Sequence, residues 1–362
     1  MKLVEKDYME SEKPLVSLIV VSYNEINHIS NSLSALMGQS YPNYEVMVYD
    51  NGSTDGTPEY VLKHYPRVKL IKGLENLGFG GANNEAARIA RGKYIAFLNC
   101  DASVSSNWLE PIVELLEKDN TIGCVGAELM CSENREIILS HGTGIHLSGI
   151  SYAKDRGKRA WTSGPIDVGG ISGGAFLINR EFFLELGGFE SLFFLYYEDT
   201  DLALRIRLHG KRCAVVPGAR VYHNCESRFD VRKIFFLERN RYLSLFTLMN
   251  PLMLLIMMPS MIIFEIISWG YCLLNGREAI LSKFKAWKAI YEYREFIKAR
   301  RKRYANPKAK TSYVLQAFTP FVQLDYAYPS KLLSVLSLGI GYLVAILPFV
   351  FLRIFTRHGY LR

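Results

Sequence analysis

Between residues 15 and 130 the chain alternates short apolar runs with amphipathic ones, and this alternation limits the available folds more than any other feature. LVSLIVVSY (15–23), YEVMVYD (44–50), RVKLIKG (67–73) and YIAFLNC (94–100) are rich in Val, Ile and aromatics. Each ends in polar or glycine residues, as a strand buried on both faces does. Helical periodicity fills the intervals over Ile26–Met37, Thr57–His64, Gly80–Arg91 and Trp108–Lys118. Strand and helix in strict succession predict an α/β fold: a doubly wound, mainly parallel sheet with helices on both faces. Its ligands belong at the carboxyl ends of the strands. From 121 to 180 the pattern is more β-like. GTGIHLSGISYAK reads as a hairpin or lid, and Glu181–Leu186 as a short helix ended by Gly187 and Gly188.

Polar clusters stand at the expected strand ends. Asn99-Cys100-Asp101 closes one apolar run, and Asp50-Asn51-Gly52-Ser53 follows another. Glu198-Asp199-Thr200-Asp201 opens an amphipathic helix, and the lone His223 closes the strand-like stretch after it. Two acids and a histidine at such positions suggest metal-assisted group transfer. Each cluster also has an ordinary explanation. Asp101 would cap a helix starting near Ser105. Asp50-Asn51-Gly52-Ser53 would be a simple turn. The acids at 198–201 would charge a helix N-terminus, with Asp201 pairing with Arg205 on the helix surface. His223 would bond to backbone. GFGGAN (78–83) lacks the GxGxxG spacing and follows the third strand, which argues against a dinucleotide cofactor.

In this order the segments resemble the inverting nucleotide-sugar glycosyltransferases of family 2, in particular the rhamnosyltransferase-like group. The resemblance is carried by VSLIVVSYNE, VYDNGSTDGT, ENLGFGGANNEA, NCD, GGAFLINR, YEDTDLALR and VYH, over about residues 15–245. It implies a GT-A-type catalytic domain over 1–242 and a nucleotide-diphosphate sugar donor, dTDP-rhamnose or another. Ser22, Tyr23, Asn24, Glu25, Asp50, Asn51, Asn76, Gly78, Asn83 and Asn99 would meet the donor. Asp101 and His223 would hold a divalent cation, Mn²⁺ or Mg²⁺, with asparagine at 99 where the family carries its first acid. Asp199 would be the catalytic base, and Glu198, Gly173 and Gly174 would meet the acceptor.

The C-terminal part, 243–362, differs in character. Residues 252–274 and 332–352 are almost wholly apolar, and a basic segment lies between them. From 276 onward there are 16 Lys/Arg against four acids, within a chain of net charge +8. This reads as a helical, membrane-associated region with an anionic lipid surface as partner, not nucleic acid. Pro259 and Glu265 make 252–274 a poor straight span. Residues 243–274 are therefore expected to be re-entrant or interfacial, with 276–310 on the cytoplasmic face and 332–352 as the better spanning candidate. The acceptor implied is a lipid-linked saccharide. A polysaccharide or protein acceptor, or a non-catalytic sugar-nucleotide-binding protein, is the alternative. No oligomeric state is read from the chain. The first fourteen residues are polar and unlike a signal peptide. The six cysteines, none in CxxC spacing, read as free thiols.

Overall fold

The computed structural model describes residues 13–161, 163–224 and 231–320. The expected alternation is present: β1 (Val16–Ser22), α1 (Ile29–Met37), β2 (Tyr44–Asp50), α2 (Thr57–His64), β3 (Lys69–Lys72), α3 (Gly78–Ile89) and β4 (Tyr94–Asn99). There follow β5 (Ser103–Val104), α4 (Leu109–Lys118), β6 (Ile122–Cys131), β7 (Ile138–Ser140), β8 (Thr143–His146), β9 (Ser151–Ala153) and β10 (Ile166–Val168). Then come β11 (Ala175–Asn179), α5 (Arg180–Leu186), α6 (Glu198–Leu208) and β12 (Arg212–His223). The C-terminal elements are α7 (Val231–Leu248), α8 (Pro251–Leu274), α9 (Arg277–Glu292), α10 (Arg294–Arg303), α11 (Thr311–Leu315) and β13 (Phe318–Thr319).

The main sheet has the order β10-β12-β6-β11-β4-β1-β2-β3. β3, β2, β1 and β4 run parallel, as do β6 and β12. β11 is inserted antiparallel between β4 and β6. The fold is thus GT-A-like α/β with a mostly parallel sheet. One apolar cluster, including Leu18, Leu33 and Trp108, covers one face; Ile19, Phe97, Phe176 and Phe183 belong to the cluster on the other. The residues 143–153 form the expected hairpin, β8 with β9 antiparallel.

The C-terminal helices are packed onto the sheet domain. Ile145, Leu147, Leu204 and Leu208 share a buried cluster with Tyr242, Met257, Ile290 and Phe318. The single helix α7 runs across position 242. α8 is continuous through Pro259, so no re-entrant turn interrupts it. Pro259 lies on the exposed side of the helix, where the carbonyl it leaves unpaired is least costly. α8 is also the one helix among the described residues that is long and apolar enough to cross a membrane. The 332–352 segment lies outside the described residues.

Two sequence expectations are corrected. Glu265 faces protein, with Lys283 Nζ at 2.6 Å and the Tyr242 hydroxyl donating at 2.9 Å. Lys283 is itself fully buried and also bonds Glu238, so the basic segment is partly internal. Cys100, Cys124, Cys213 and Cys272 are free thiols, whereas Cys131 is disulfide-bonded.

Candidate active site

Asp101 and His223 are 122 residues apart in sequence, and a two-residue strand brings them together. β5 pairs with β12 through Val104–Val221 and Ser103–Tyr222. That register puts the end of β12 beside the turn after β4. His223 Nε2 lies 3.0 Å from Asp101 Oδ1 and 3.3 Å from Asn99 Nδ2. Asp101 does not cap a helix: α4 begins at Leu109, with Trp108 at its cap position. Burial works to raise the Asp101 pKa, but the hydrogen bond and charge of His223 outweigh it and hold the carboxyl below its usual range. The hydrogen bond to Asp101 raises His223 against the effect of burial. His223 Nδ1 lies 3.1 Å from the Asn224 carbonyl oxygen. With Nε2 donating to Asp101, a proton on Nδ1 can also donate to the Asn224 carbonyl; a cation bound between Nε2 and Asp101 would displace the Nε2 proton and leave the one on Nδ1.

This donor pair of one imidazole nitrogen and one carboxylate fits Mn²⁺ or Mg²⁺. Among the described residues no group of three His, Cys, Asp or Glu gathers as a metal site. A cation here would take its remaining ligands from a bound diphosphate and water.

The acidic motif is built differently from its surface-helix reading. Asp199, in the first turn of α6, is half-buried, and its Oδ2 accepts the Gly173 N–H at 2.8 Å. Its Oδ1 accepts the Thr200 N–H at 2.6 Å. Burial raises its pKa despite these bonds. Glu198 is more perturbed. It is buried, Oε2 has no partner, and burial together with the charges of Asp199 and Asp201 pushes it up to about 8. Burial thus raises both neighbouring carboxyls, Glu198 to about 8, so that near neutral pH Glu198 holds its proton.

Asp201 is not on the surface. It is fully buried, and Arg300 of α10 grips it with Nη1–Oδ1 and Nη2–Oδ2 at 2.8 and 2.7 Å. Arg205 Nε and the Ser244 hydroxyl also donate to it. Burial opposes ionisation, but the Arg300 and Arg205 guanidiniums hold this carboxyl far below the usual range. The i,i+4 pair with Arg205 is real, but it sits inside the molecule.

Upstream of α6 the chain is strained. Phe194, Tyr196 and Tyr197 all adopt positive φ (63°, 65° and 74°), a region costly for side chains of this size. α7 holds them there. Asn240 Nδ2 lies within 3.1 Å of the Phe193, Leu195 and Tyr196 carbonyls, and Arg239 donates to Leu192 and Phe193. The sequence reading missed Arg239, Asn240 and Arg300. The one available signal, for Arg239 and Asn240, was the polar run Glu238–Arg241 set between the apolar Ile234–Leu237 and Tyr242–Leu243.

The residues expected to meet a donor lie at and beyond the ends of β1 and β2. Ser22 and Asp50 are buried, with Ser22 Oγ and Asp50 Oδ1 unpartnered. Tyr23 is 46% exposed, free to offer a ring face. Asn24 takes positive φ, and its Oδ1 accepts the Thr54 N–H; the Glu25 N–H donates to Thr57 Oγ1. The two strand-end loops are thereby laced together. Asn51 and Asn76 bond each other at 2.9 Å, and Asn51 Oδ1 accepts the Leu77 N–H. Their side chains therefore hold the 76–78 loop. Gly78 has φ +72°, and a Cβ there would strike the Phe194 carbonyl, which accepts the Phe79 N–H. The 76–78 loop thus rests on the strained loop. Asn83 is buried, with Nδ2 on Phe79 O and Oδ1 unpartnered.

The sequence model "Glycosyl transferase family 2" matches residues 17–187. These residues form a glycosyltransferase domain of family 2. The domain makes this chain kin to enzymes. Over 234 residues it is 26% identical to the N-acetylglucosaminyl-diphospho-decaprenol L-rhamnosyltransferase of Mycobacterium tuberculosis, covering 58% of this chain and 76% of that protein. The chain spans only 24% and 40% of the length of two other curated relatives. Residues 1–349 of S. aureus TarS, solved with UDP-GlcNAc, superpose with a TM-score of 0.56 at 16% identity, covering 95% of this chain and 92% of that one. A mannosyltransferase from Pyrobaculum calidifontis, solved with GDP-Man and Mn²⁺, gives 0.51 at 21% identity, with 85% and 87% covered. At these identities the structures speak for the GT-A fold.

Proposed function

We propose that the protein is an inverting glycosyltransferase that moves a sugar from a nucleotide-diphosphate donor to a lipid-linked saccharide on the cytoplasmic face of a membrane. The observation that carries this reading is the joint placement of the Asp101–His223 pair, at the carboxyl ends of β4 and β12, and of Asp199, bonded to Gly173 just before the antiparallel β11, along one edge of the sheet. A divalent cation bound by Asp101 and His223 would neutralise charge developing on the leaving diphosphate. Asp199 takes the proton from the acceptor hydroxyl as that oxygen attacks the anomeric carbon. Its raised pKa suits a base, and the Gly173 N–H fixes its orientation. Protonated Glu198 avoids a second buried charge beside it and can donate a hydrogen bond to the acceptor. Tyr23 stacks on the nucleobase, and Asp50 and Asn83 supply unpartnered oxygens toward the donor.

The relative from M. tuberculosis is named for a diphospho-decaprenol acceptor, which supports a lipid-linked substrate. So does the outer face of α8, where Leu255, Ile262, Ile266 and Leu274 are exposed while Met253, Met257 and Met261 are buried. Exposed Leu281 and Phe284 extend this apolar face onto α9, beside exposed Lys285 and Lys288. An amphipathic pair of this kind lies in the plane of an anionic bilayer.

The metal assignment is tested by Asp101→Ala and His223→Ala. Both should weaken nucleoside diphosphate binding at least tenfold with Mn²⁺ present and leave the weaker metal-free binding unchanged. Equal losses under excess chelator would make the two residues structural.

A further inference from the structure

A cavity of about 400 Å³ lies among the ends of α6, α7 and α10, the first turn of α8, and α11. It shares no residue with the candidate active site. Leu208, Leu248, Met249, Met253 and Val314 give it an apolar lining, all of them buried in one cluster. A concave, largely apolar space of this size is what a small ligand fills. Two cations line it as well: Arg301, half-buried, and Lys302, exposed. Lys298, Arg300 and Lys308 of the same basic segment are ion-paired with Glu295, Asp201 and Glu185. Arg301 instead donates to the neutral Phe246 carbonyl at 3.0 Å, and Lys302 Nζ has no protein partner. Among the described residues no Asp or Glu lines the cavity. Buried methylene surface beside unpaired positive charge suits an amphiphilic anion.

The rim of the cavity belongs to α8. Pro251 lines the space and is itself exposed. Leu255, one turn further on and therefore on the same helix face, is 60% exposed. The cavity thus opens at the N-terminal end of the apolar outer face of α8.

We propose that this cavity binds one anionic phospholipid, with an acyl chain among Leu208, Leu248, Met249, Met253 and Val314 and the phosphate at Arg301 and Lys302. The inference rests on the bilayer-surface reading of α8 and α9 above and adds to it a site for a single lipid. The site touches the support of the acidic motif at two points. Leu208 is the last residue of α6, and Thr247, which also lines the cavity, accepts from Arg300, the residue that grips Asp201. A seated lipid therefore packs against the helix that carries Asp199. A small free phosphate shares the headgroup chemistry, and the test separates the two sources.

Lysophosphatidylglycerol, lysophosphatidylcholine of the same chain length, and glycerol 3-phosphate are titrated calorimetrically, below micelle-forming concentrations, into the full chain held in a non-ionic amphipol. Wild-type protein should bind the anionic lysolipid about tenfold more tightly than the zwitterionic one, and glycerol 3-phosphate far more weakly than either. The double variant Arg301→Gln, Lys302→Gln should lose the preference. Lys285→Gln, Lys288→Gln, which removes the same charge from α9, should keep it. Lys302→Gln alone breaks no bond of the fold and should lose at least part of the preference, so a misfolded double variant does not hide the answer. No preference in wild type, a preference unchanged in both the Arg301/Lys302 double variant and Lys302→Gln, or equal losses in the two double variants would overturn the assignment. Glycerol 3-phosphate that binds as tightly as the anionic lysolipid would overturn it too and give the cations to a small phosphate. Wild-type protein that fails to sediment with phosphatidylglycerol vesicles would remove the bilayer-surface reading and this inference with it. Sedimentation without any lysolipid preference would remove this inference alone, so the two failures are distinguishable.

Discussion

Two neighbouring carboxyls of α6 sit in different environments. Asp199 has three hydrogen-bond donor contacts to its oxygens, while Glu198 leaves one oxygen with none. Removing the proposed base while keeping its shape separates catalysis from folding. Asp199→Asn should keep donor affinity and melting temperature but lower turnover by about a hundredfold or more. Turnover within threefold of wild type would exclude it as the base. Glu198 makes a distinct prediction about stability. Its folded pKa of about 8 lies above the ordinary 4.5, so between those values the folded state binds the extra proton. Stability must then fall as pH rises from about 4.5 to about 8. Glu198→Gln is neutral throughout and escapes that loss. The variant should melt close to wild type at pH 5 and at least about 2 °C higher at pH 8.5. Melting curves that coincide at both pH values would show that Glu198 ionises freely. Local pattern singled out Asp199, Glu198, Asp101 and His223 as candidates, and the structure brings His223 beside Asp101. Which acid is neutral was not readable, because burial decides it.

Among the elements, α10 has a role its composition hides. REFIKARRKR looks like a solvated basic helix, yet Arg300 is inserted beneath α6 and grips Asp201 with both terminal nitrogens. The Thr247 hydroxyl accepts a further bond from Arg300, and Glu190 lies 3.3 Å from its Nε. Breaking such a buried pair leaves a charge unpaired and costs about 3 kcal/mol. Arg300→Ala should therefore lower the melting temperature by about 5 °C or more. Lys298→Ala, on the exposed face of the same helix, should change it by less than about 1 °C. Equal effects would mean that α10 contributes only bulk charge. α7 is the second element of this kind, since Arg239 and Asn240 hold the strained loop that delivers Tyr197 and Glu198. Helix existence was legible here from periodicity, and α2 has the same limits in sequence and structure, Thr57–His64. Periodicity put α4 at Trp108–Lys118 and it spans Leu109–Lys118; only the capping reading of Asp101 put its start near Ser105, and there residues 103–104 pair with β12 instead.

At the scale of the molecule, the C-terminal helices join the catalytic sheet through one buried apolar cluster and the Asp201–Arg300 pair. A membrane surface bound by α8 and α9 would therefore hold the active site at a fixed height above it. Ile266 is 67% exposed on α8, and Leu62 is 55% exposed on α2. With an environment-sensitive dye on an introduced cysteine, Ile266→Cys should show a blue shift on anionic vesicles, and Leu62→Cys should show none. No shift at position 266 would show that this face stays in water. Sequence alone determined the layered α/β architecture, because strand and helix periods are local and every run kept its own. It also placed the polar clusters at strand ends, since an apolar strand must stop where water or ligand begins. Tertiary structure decided which clusters meet. The approach of His223 to Asp101 depends on the β5–β12 register, and the burial of Asp201 depends on an arginine 99 residues away. Such pairings leave no periodic trace, because their energy comes from desolvation and charge shared between segments that meet only when the chain is folded.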